Sequence, residues 1–365
     1  MKTPIYVTQP VLPELDEFIP YLEKIWKNKV LTNCGPLHQQ LEQELCEYLG
    51  VPYISLFNNG TIALVTALQA LDLAEGEVIT TPYTFVATAH SIVWNKLTPV
   101  FVDIDVQTSN IDPKKVEQAI TDKTVAILPV HCYGIPCDVD RLQKIAQQNN
   151  LKLIYDAAHA FGVRHKGKSL LNYGDLSVIS FHATKVFNTF EGGAIVCHSA
   201  EMKQRIERLK NFGIVNETTI DDVSLNGKLS EVHAALGLLQ LKSIDKTLQA
   251  RKRIDSKYRE LLEGIEGISC IKRLITEIDN YSYFPIVITS PYPNSRNELY
   301  NILKNKNIFA RKYFYPIMSN LNIYKQYHSD TPNAQLLSEQ VLCLPMYPQL
   351  SFEECKYIVD IIKDV

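Results

Sequence analysis

Short, unbroken apolar runs alternate with longer amphipathic ones through the first two-thirds of this chain, and this rhythm restricts the fold more than any other feature. The runs fall at 53–57, 77–80, 99–103, 125–130, 152–155, 176–181 and 194–197. A strand facing water on one side alternates apolar with polar residues, whereas a run that is apolar throughout is covered on both faces. Between the runs, 38–49, 61–71, 84–94, 113–120, 138–149 and 201–211 carry helical periodicity. Alternating strand and helix predicts an α/β domain with a mainly parallel sheet. A second zone begins near Lys246. There, a helix at 230–244 with a charged continuation at 251–262, and helices at 296–304 and 351–362, surround a strand at 283–288. Ser351 with Glu354 three residues on is a capping pair for the last helix. The expected division is a large α/β domain at 1–245 and a smaller α+β domain at 246–365, with 12–26 as a docking helix.

Charge and cysteine usage exclude several classes. The net charge is −3 and no basic block occurs, which argues against nucleic acid or an anionic membrane as partner. No apolar run reaches membrane-spanning length, and Met1–Tyr6 lacks the apolar core of a leader, so a cytoplasmic protein is expected. The eight cysteines are scattered, with no second pair or histidine at zinc-like spacing near Cys132 and Cys137. All eight are expected to be reduced, and no metal site is expected.

In open α/β sheets, ligands bind beyond the carboxyl ends of the strands, and four features fall there. Asn58-Asn59-Gly60-Thr61 follows one strand and opens a helix, so the amides of Gly60 and Thr61 form a phosphate seat. Phe85, in Pro82-Tyr83-Thr84-Phe85-Val86, offers a face for a flat ring. Asp156, in Asp156-Ala157-Ala158-His159-Ala160, has small neighbours that leave room for such a ring and can keep a pyridine nitrogen protonated. Ser180 and Lys185, in Ser180-Phe181-His182-Ala183-Thr184-Lys185, place a hydroxyl and an amine at a strand mouth, and a lysine can condense with an aldehyde. Singly, each has an ordinary explanation: an Asn-Gly turn, a packed phenylalanine, a capping aspartate, a loop lysine. Together they match the phosphate, ring, nitrogen and aldehyde of pyridoxal 5′-phosphate.

At this point the chain resembles the DegT/DnrJ/EryC1/StrS family of sugar aminotransferases over nearly its whole length. The resemblance rests on 59–64, 81–88, 129–134, 156–162 and 180–185, the last followed by Glu191-Gly192-Gly193-Ala194. It implies the aspartate-aminotransferase arrangement, fold type I of the pyridoxal-phosphate transferases, with catalytic Lys185 and Asp156. Gly60, Thr61, Phe85, His159, Ser180 and Asn226 would hold the cofactor with them. It further implies a homodimer with shared active sites, in which Asn226 of the loop 225–231 touches the cofactor phosphate of the other subunit. The family's usual arginine two residues later is Lys228 here, which keeps the charge and loses the planar fork.

The resemblance is strongest toward the branch that forms dTDP-4-amino-4,6-dideoxyglucose, through 54–64, 180–193, 311–316 and 341–347. The implied partners are a keto-deoxysugar nucleotide and L-glutamate, with Tyr313, Phe314 and Tyr315 shaping the nucleotide pocket and offering it stacking faces and hydroxyls. Retention of Lys185 favours transamination over the dehydration of a branch that carries histidine there. Alternatives are amination of a 3-keto or UDP-linked 4-keto sugar and, from another class, a non-catalytic cofactor-binding regulator. A plain nucleotide-binding protein is disfavoured, since neither Gly-x-Gly-x-x-Gly nor a P-loop occurs.

Overall fold

The structure, a computed structural model, describes residues 3–73, 75–273 and 278–365; Met1 and Lys2 of the N-terminal stretch read above lie outside them. A seven-stranded sheet runs in the order Tyr53–Phe57, Gly193–Cys197, Leu176–Ser180, Lys152–Asp156, Thr124–Leu128, Glu77–Thr80, Thr98–Phe101. Gly193–Cys197 is antiparallel to both neighbours, and the other pairings are parallel. The mainly parallel sheet is therefore present, with each expected strand in place to within a few residues.

Successive residues of a strand point to opposite faces, and here both faces are buried. Leu56, Ile79, Ile127, Leu153 and Ile179 join one apolar cluster, while their neighbours Phe57, Val78, Leu128, Ile154 and Val178 join another. The first cluster packs under the helices Pro36–Leu49 and Val139–Gln148, and the second under Gly60–Ala70 and Ala200–Leu209. That double covering is why the runs read as continuously apolar.

The expected helix and its charged continuation form one helix, Glu231–Leu262, 32 residues long. Its first half lends Ala234, Ala235, Leu238 and Ile244 to the large core. Its second half lends Ile254, Tyr258 and Leu262 to a separate core around the antiparallel strands Ile268–Cys270, Phe284–Ile288 and Val341–Leu344. The helices Arg296–Asn305 and Phe352–Lys363 cover this second core. Ser351 and Glu354 form the expected capping box. The helix Leu15–Asn28 packs on Glu231–Leu262, while Ile5–Tyr6 pairs in parallel with Ile308–Phe309 and places Ile5 in the second core. The described cysteines are all free. Among the described residues no helix is long and apolar enough to cross a membrane.

Candidate active site

Every strand end that the sequence nominated opens into one pocket of about 280 Å³. Gly60, Thr61, Phe85, Asp156, His159, Ser180 and Lys185 line it together. Asn59 caps the helix Gly60–Ala70, its Oδ1 accepting the Ile62 N–H at 2.8 Å. That bond leaves the Gly60 and Thr61 amides at the open helix end, where anions bind. The turn needs glycine at two places. A Cβ on Gly193 would lie 2.7 Å from the Asn59 carbonyl carbon and the Gly60 nitrogen, and one on Gly60 would lie 3.1 Å from Ser180 Cβ. The Ser180 hydroxyl accepts the His182 N–H at 3.4 Å, so its own proton is free to donate into the pocket.

Asp156 ends its strand and is buried, 4% exposed. Thr88 Oγ1 donates to one carboxylate oxygen at 2.8 Å and the Ala158 N–H to the other at 3.1 Å. Thr84 Oγ1 lies 2.8 Å from Thr88 Oγ1 and extends the chain of hydroxyls. Burial pushes the carboxyl upward in pKa, opposed by these two hydrogen bonds and by the Lys185 charge. Lys185 is half-buried on the pocket wall, with Nζ 5.9 Å from the Tyr283 ring centre. Burial lowers its pKa to about 8, against the pull of Asp156. The neutral fraction of the amine near neutral pH is thus far larger than for an ordinary lysine, which favours it as a nucleophile and proton carrier.

His159 is held in one tautomer. Burial, and then the Lys185 charge, push its pKa well below the usual range, so the ring is neutral. Its Nδ1 accepts the Tyr133 N–H at 3.2 Å, so the single ring proton sits on Nε2 and can only donate. The ring lies edge-on to Tyr283, centroids 4.9 Å apart, and parallel to Phe314 at 6.0 Å.

Phe85 is exposed on the pocket wall and available as a ring face. The segment 313–315 divides three ways. Tyr313 lines the pocket and a neighbouring cavity, and Tyr315 borders that cavity alone. Phe314 reaches the walls of both, yet it is buried in an aromatic cluster with Tyr83 and Tyr133, its edge against Tyr83. The expected open stacking face at Phe314 is largely spent on packing. Asn226 is exposed on its loop and does not line the pocket of its own chain. Thr88 and Tyr283 are site residues that the sequence pattern does not reveal. Thr88 sits in an apolar helical stretch and Tyr283 at a strand start, where neither gives a signal. His182 and Glu191 also line the pocket, 3.5 Å apart, within the lysine motif itself.

A doubly covered, mainly parallel sheet, with a lysine of lowered pKa facing a buried aspartate at its carboxyl edge, defines a fold-type-I transferase. Residues 14–363 match the DegT/DnrJ/EryC1/StrS aminotransferase family. The chain belongs to this family, and it is an enzyme, an aminotransferase. It is 59% identical, over all of both chains, to a dTDP-4-amino-4,6-dideoxy-D-glucose transaminase of Shigella dysenteriae. It is 56% identical to a transaminase of the same name from Escherichia coli, covering 96% of this chain and 95% of that one. The crystal structure of DesI with its TDP-sugar product superposes with a TM-score of 0.95 at 33% identity, covering 100% of this chain and 93% of that one.

Proposed function

We propose that this enzyme moves an amino group from L-glutamate to dTDP-4-keto-6-deoxy-D-glucose, giving dTDP-4-amino-4,6-dideoxy-D-glucose, with pyridoxal 5′-phosphate as cofactor. The carrying observation is the Lys185–Asp156–His159 arrangement, in a chain 59% and 56% identical to two transaminases of that name. The pocket fits the cofactor by its donor set. A helix N-terminus and the Ser180 hydroxyl suit a phosphate, a buried carboxylate suits a pyridinium, and a neutral imidazole suits a phenolate oxygen. When bound, the cofactor supplies an aldehyde for the incoming amine and an electron sink for the carbon that loses its proton.

The chain's own residues do the rest. Asp156, fixed by Thr88 and Ala158, holds the pyridine nitrogen protonated. His159 donates from Nε2. Gly60, Thr61 and Ser180 hold the phosphate end. Lys185 Nζ would take the proton from the amino donor's Cα and deliver it to the cofactor's former aldehyde carbon, then reverse the path for the keto sugar. Phe85 flanks the ring. The two domains proposed, 1–245 and 246–365, meet within the helix Glu231–Leu262, and the second presents Tyr313 and Tyr315 to the substrate.

The proposed assembly is a homodimer with Asn226 acting in the partner's site. Two observations support it: Asn226 is exposed and outside its own pocket, and Phe212, Val215, Ile220 and Val223 nearby expose apolar surface. Mixing Lys185→Ala chains with Asn226→Ala chains is expected to restore activity, because one site of each mixed dimer carries neither lesion. No recovery despite proven subunit exchange would place Asn226 in its own subunit's site. The sugar assignment is tested by incubating the enzyme with glutamate and each keto-sugar nucleotide and locating the new amine by NMR. An amine at C3, or turnover confined to UDP-sugars, would overturn the assignment and leave the aminotransferase standing.

A further inference from the structure

Beside the active-site pocket lies a second cavity of about 380 Å³, and Thr84, Phe85, Tyr313 and Phe314 line both. Arg311 and Lys312 border the second cavity, and among the described residues no Asp or Glu does. The neighbouring cations are tethered. Lys312 Nζ donates to Asn297 Oδ1 at 2.6 Å and lies 4.4 Å from the Tyr300 ring centre. Arg296 stacks 4.7 Å from the Tyr315 ring and donates to the Ser338 and Val341 carbonyls at 2.7 and 3.0 Å.

Arg311 differs from both. Its backbone exchanges hydrogen bonds with Cys343, which fixes its position, yet its side chain is exposed. Among the described residues the guanidinium has no hydrogen bond or ion pair. Two residues on, the Tyr313 carbonyl accepts from the buried hydroxyls of Tyr83, at 3.0 Å, and Tyr133. Two residues that follow strands of the seven-stranded sheet thereby tie this segment to the edge of the active-site pocket. That pocket is itself poor in cations. Lys185 is committed to chemistry, and His182, when protonated, already faces Glu191 Oε1 at 3.5 Å. Both substrates of the proposed reaction carry negative charge away from the reacting carbon, the sugar on its diphosphate and glutamate on its side chain.

Resting on that reading of the function, we propose that the second cavity is an oxyanion subsite with Arg311 as its specificity-determining residue. The anion is a phosphate of the nucleotide sugar or the side-chain carboxylate of the amino donor, and the planar guanidinium fork suits either. Lys312 and the Tyr315 ring, braced by Arg296, complete the walls.

Inorganic pyrophosphate titrated into the cofactor-loaded enzyme tests the subsite without turnover. Arg311→Ala is expected to weaken its binding about 10- to 100-fold, as loss of a charge-assisted contact does. Arg311→Lys is expected to weaken it less, keeping the charge without the fork. Arg311 is exposed, so an unchanged melting temperature accompanies the change. Equal pyrophosphate affinity in parent and Arg311→Ala overturns the proposal. Single-turnover half-reactions then identify the source. A higher half-saturation for the keto-sugar nucleotide alone assigns the phosphate, and one for glutamate alone assigns the carboxylate. Failure of every sugar nucleotide to react with the parent would overturn the proposed function, while the pyrophosphate titration still decides the subsite.

Discussion

The two walls of the binding cleft are built on opposite plans. On the sheet side, two polar groups of the pocket wall are buried and partnered: Asp156 by Thr88 and Ala158, His159 by the Tyr133 amide. On the side of 311–315, the Arg311 guanidinium makes no hydrogen bond or ion pair among the described residues, and Tyr315 is 47% exposed. The first plan fixes protonation states, which the chemistry shared by both substrates requires. The second leaves hydrogen-bonding capacity open, which selection among substrates requires. Sites that hydrogen-bond a ligand reject analogues lacking the matching group far more strongly than apolar pockets do.

If this division holds, lesions on the sheet side lower the rate of both half-reactions, and lesions near Arg311 alter affinity. Lys185→Ala makes the largest break. Turnover is expected to fall by about four orders of magnitude, because no other amine in the pocket can carry the proton. Near-parent transamination by this variant would remove the basis of the whole reading. Asp156→Asn follows, with both half-reactions slowed about a hundredfold or more and the melting temperature little changed. A variant as fast as the parent would reduce Asp156 to a support for the turn that follows its strand.

The lysine also gives a pH signature. With its pKa lowered to about 8, condensation of the cofactor-free protein with an aldehyde should speed up as pH rises and level off above about 8. A rate still climbing toward the ordinary lysine range would show that burial does not act on this amine. The smallest expected effect is that of Thr88→Val. It removes one of the two hydrogen bonds to the Asp156 carboxylate, and both half-reactions should slow by about three- to tenfold. A change confined to one substrate would blur the contrast between the walls.

Much of this was legible in the sequence, for identifiable reasons. The sheet was legible because burial on both faces leaves unbroken apolar runs. Lys185, Ser180, Gly60 and Asp156 were legible because each sits where a strand ends, the place an α/β sheet reserves for ligands. Thr88 was not, since a hydroxyl inside an apolar helix looks like any other small residue until the fold sets it against Asp156. The second part of the helix Glu231–Leu262 read as a charged continuation of the first because Asp245, Lys246, Arg251, Lys252 and Arg253 break the apolar pattern where the helix passes from one core to the other. Phe314 read as an open aromatic face because nothing local shows that Tyr83 and Tyr133 close over it. Arg311 stood in a motif already noted, but a missing counter-charge is a property of three dimensions.

The pairing of Ile5–Tyr6 with Ile308–Phe309 has a consequence for assembly of the fold. These partners lie about 300 residues apart along the chain. The contact is reinforced where Tyr6 stacks on Phe309, centroids 5.1 Å apart, and where the Val7 carbonyl accepts the Met346 N–H at 2.9 Å. On a ribosome, the first strand has no mate until almost all of the protein has emerged. The second core therefore closes late, after the large sheet already has every strand it needs. Contacts this distant in sequence are slow to form, so the region carrying Arg311 is expected to be the last to acquire its native shape.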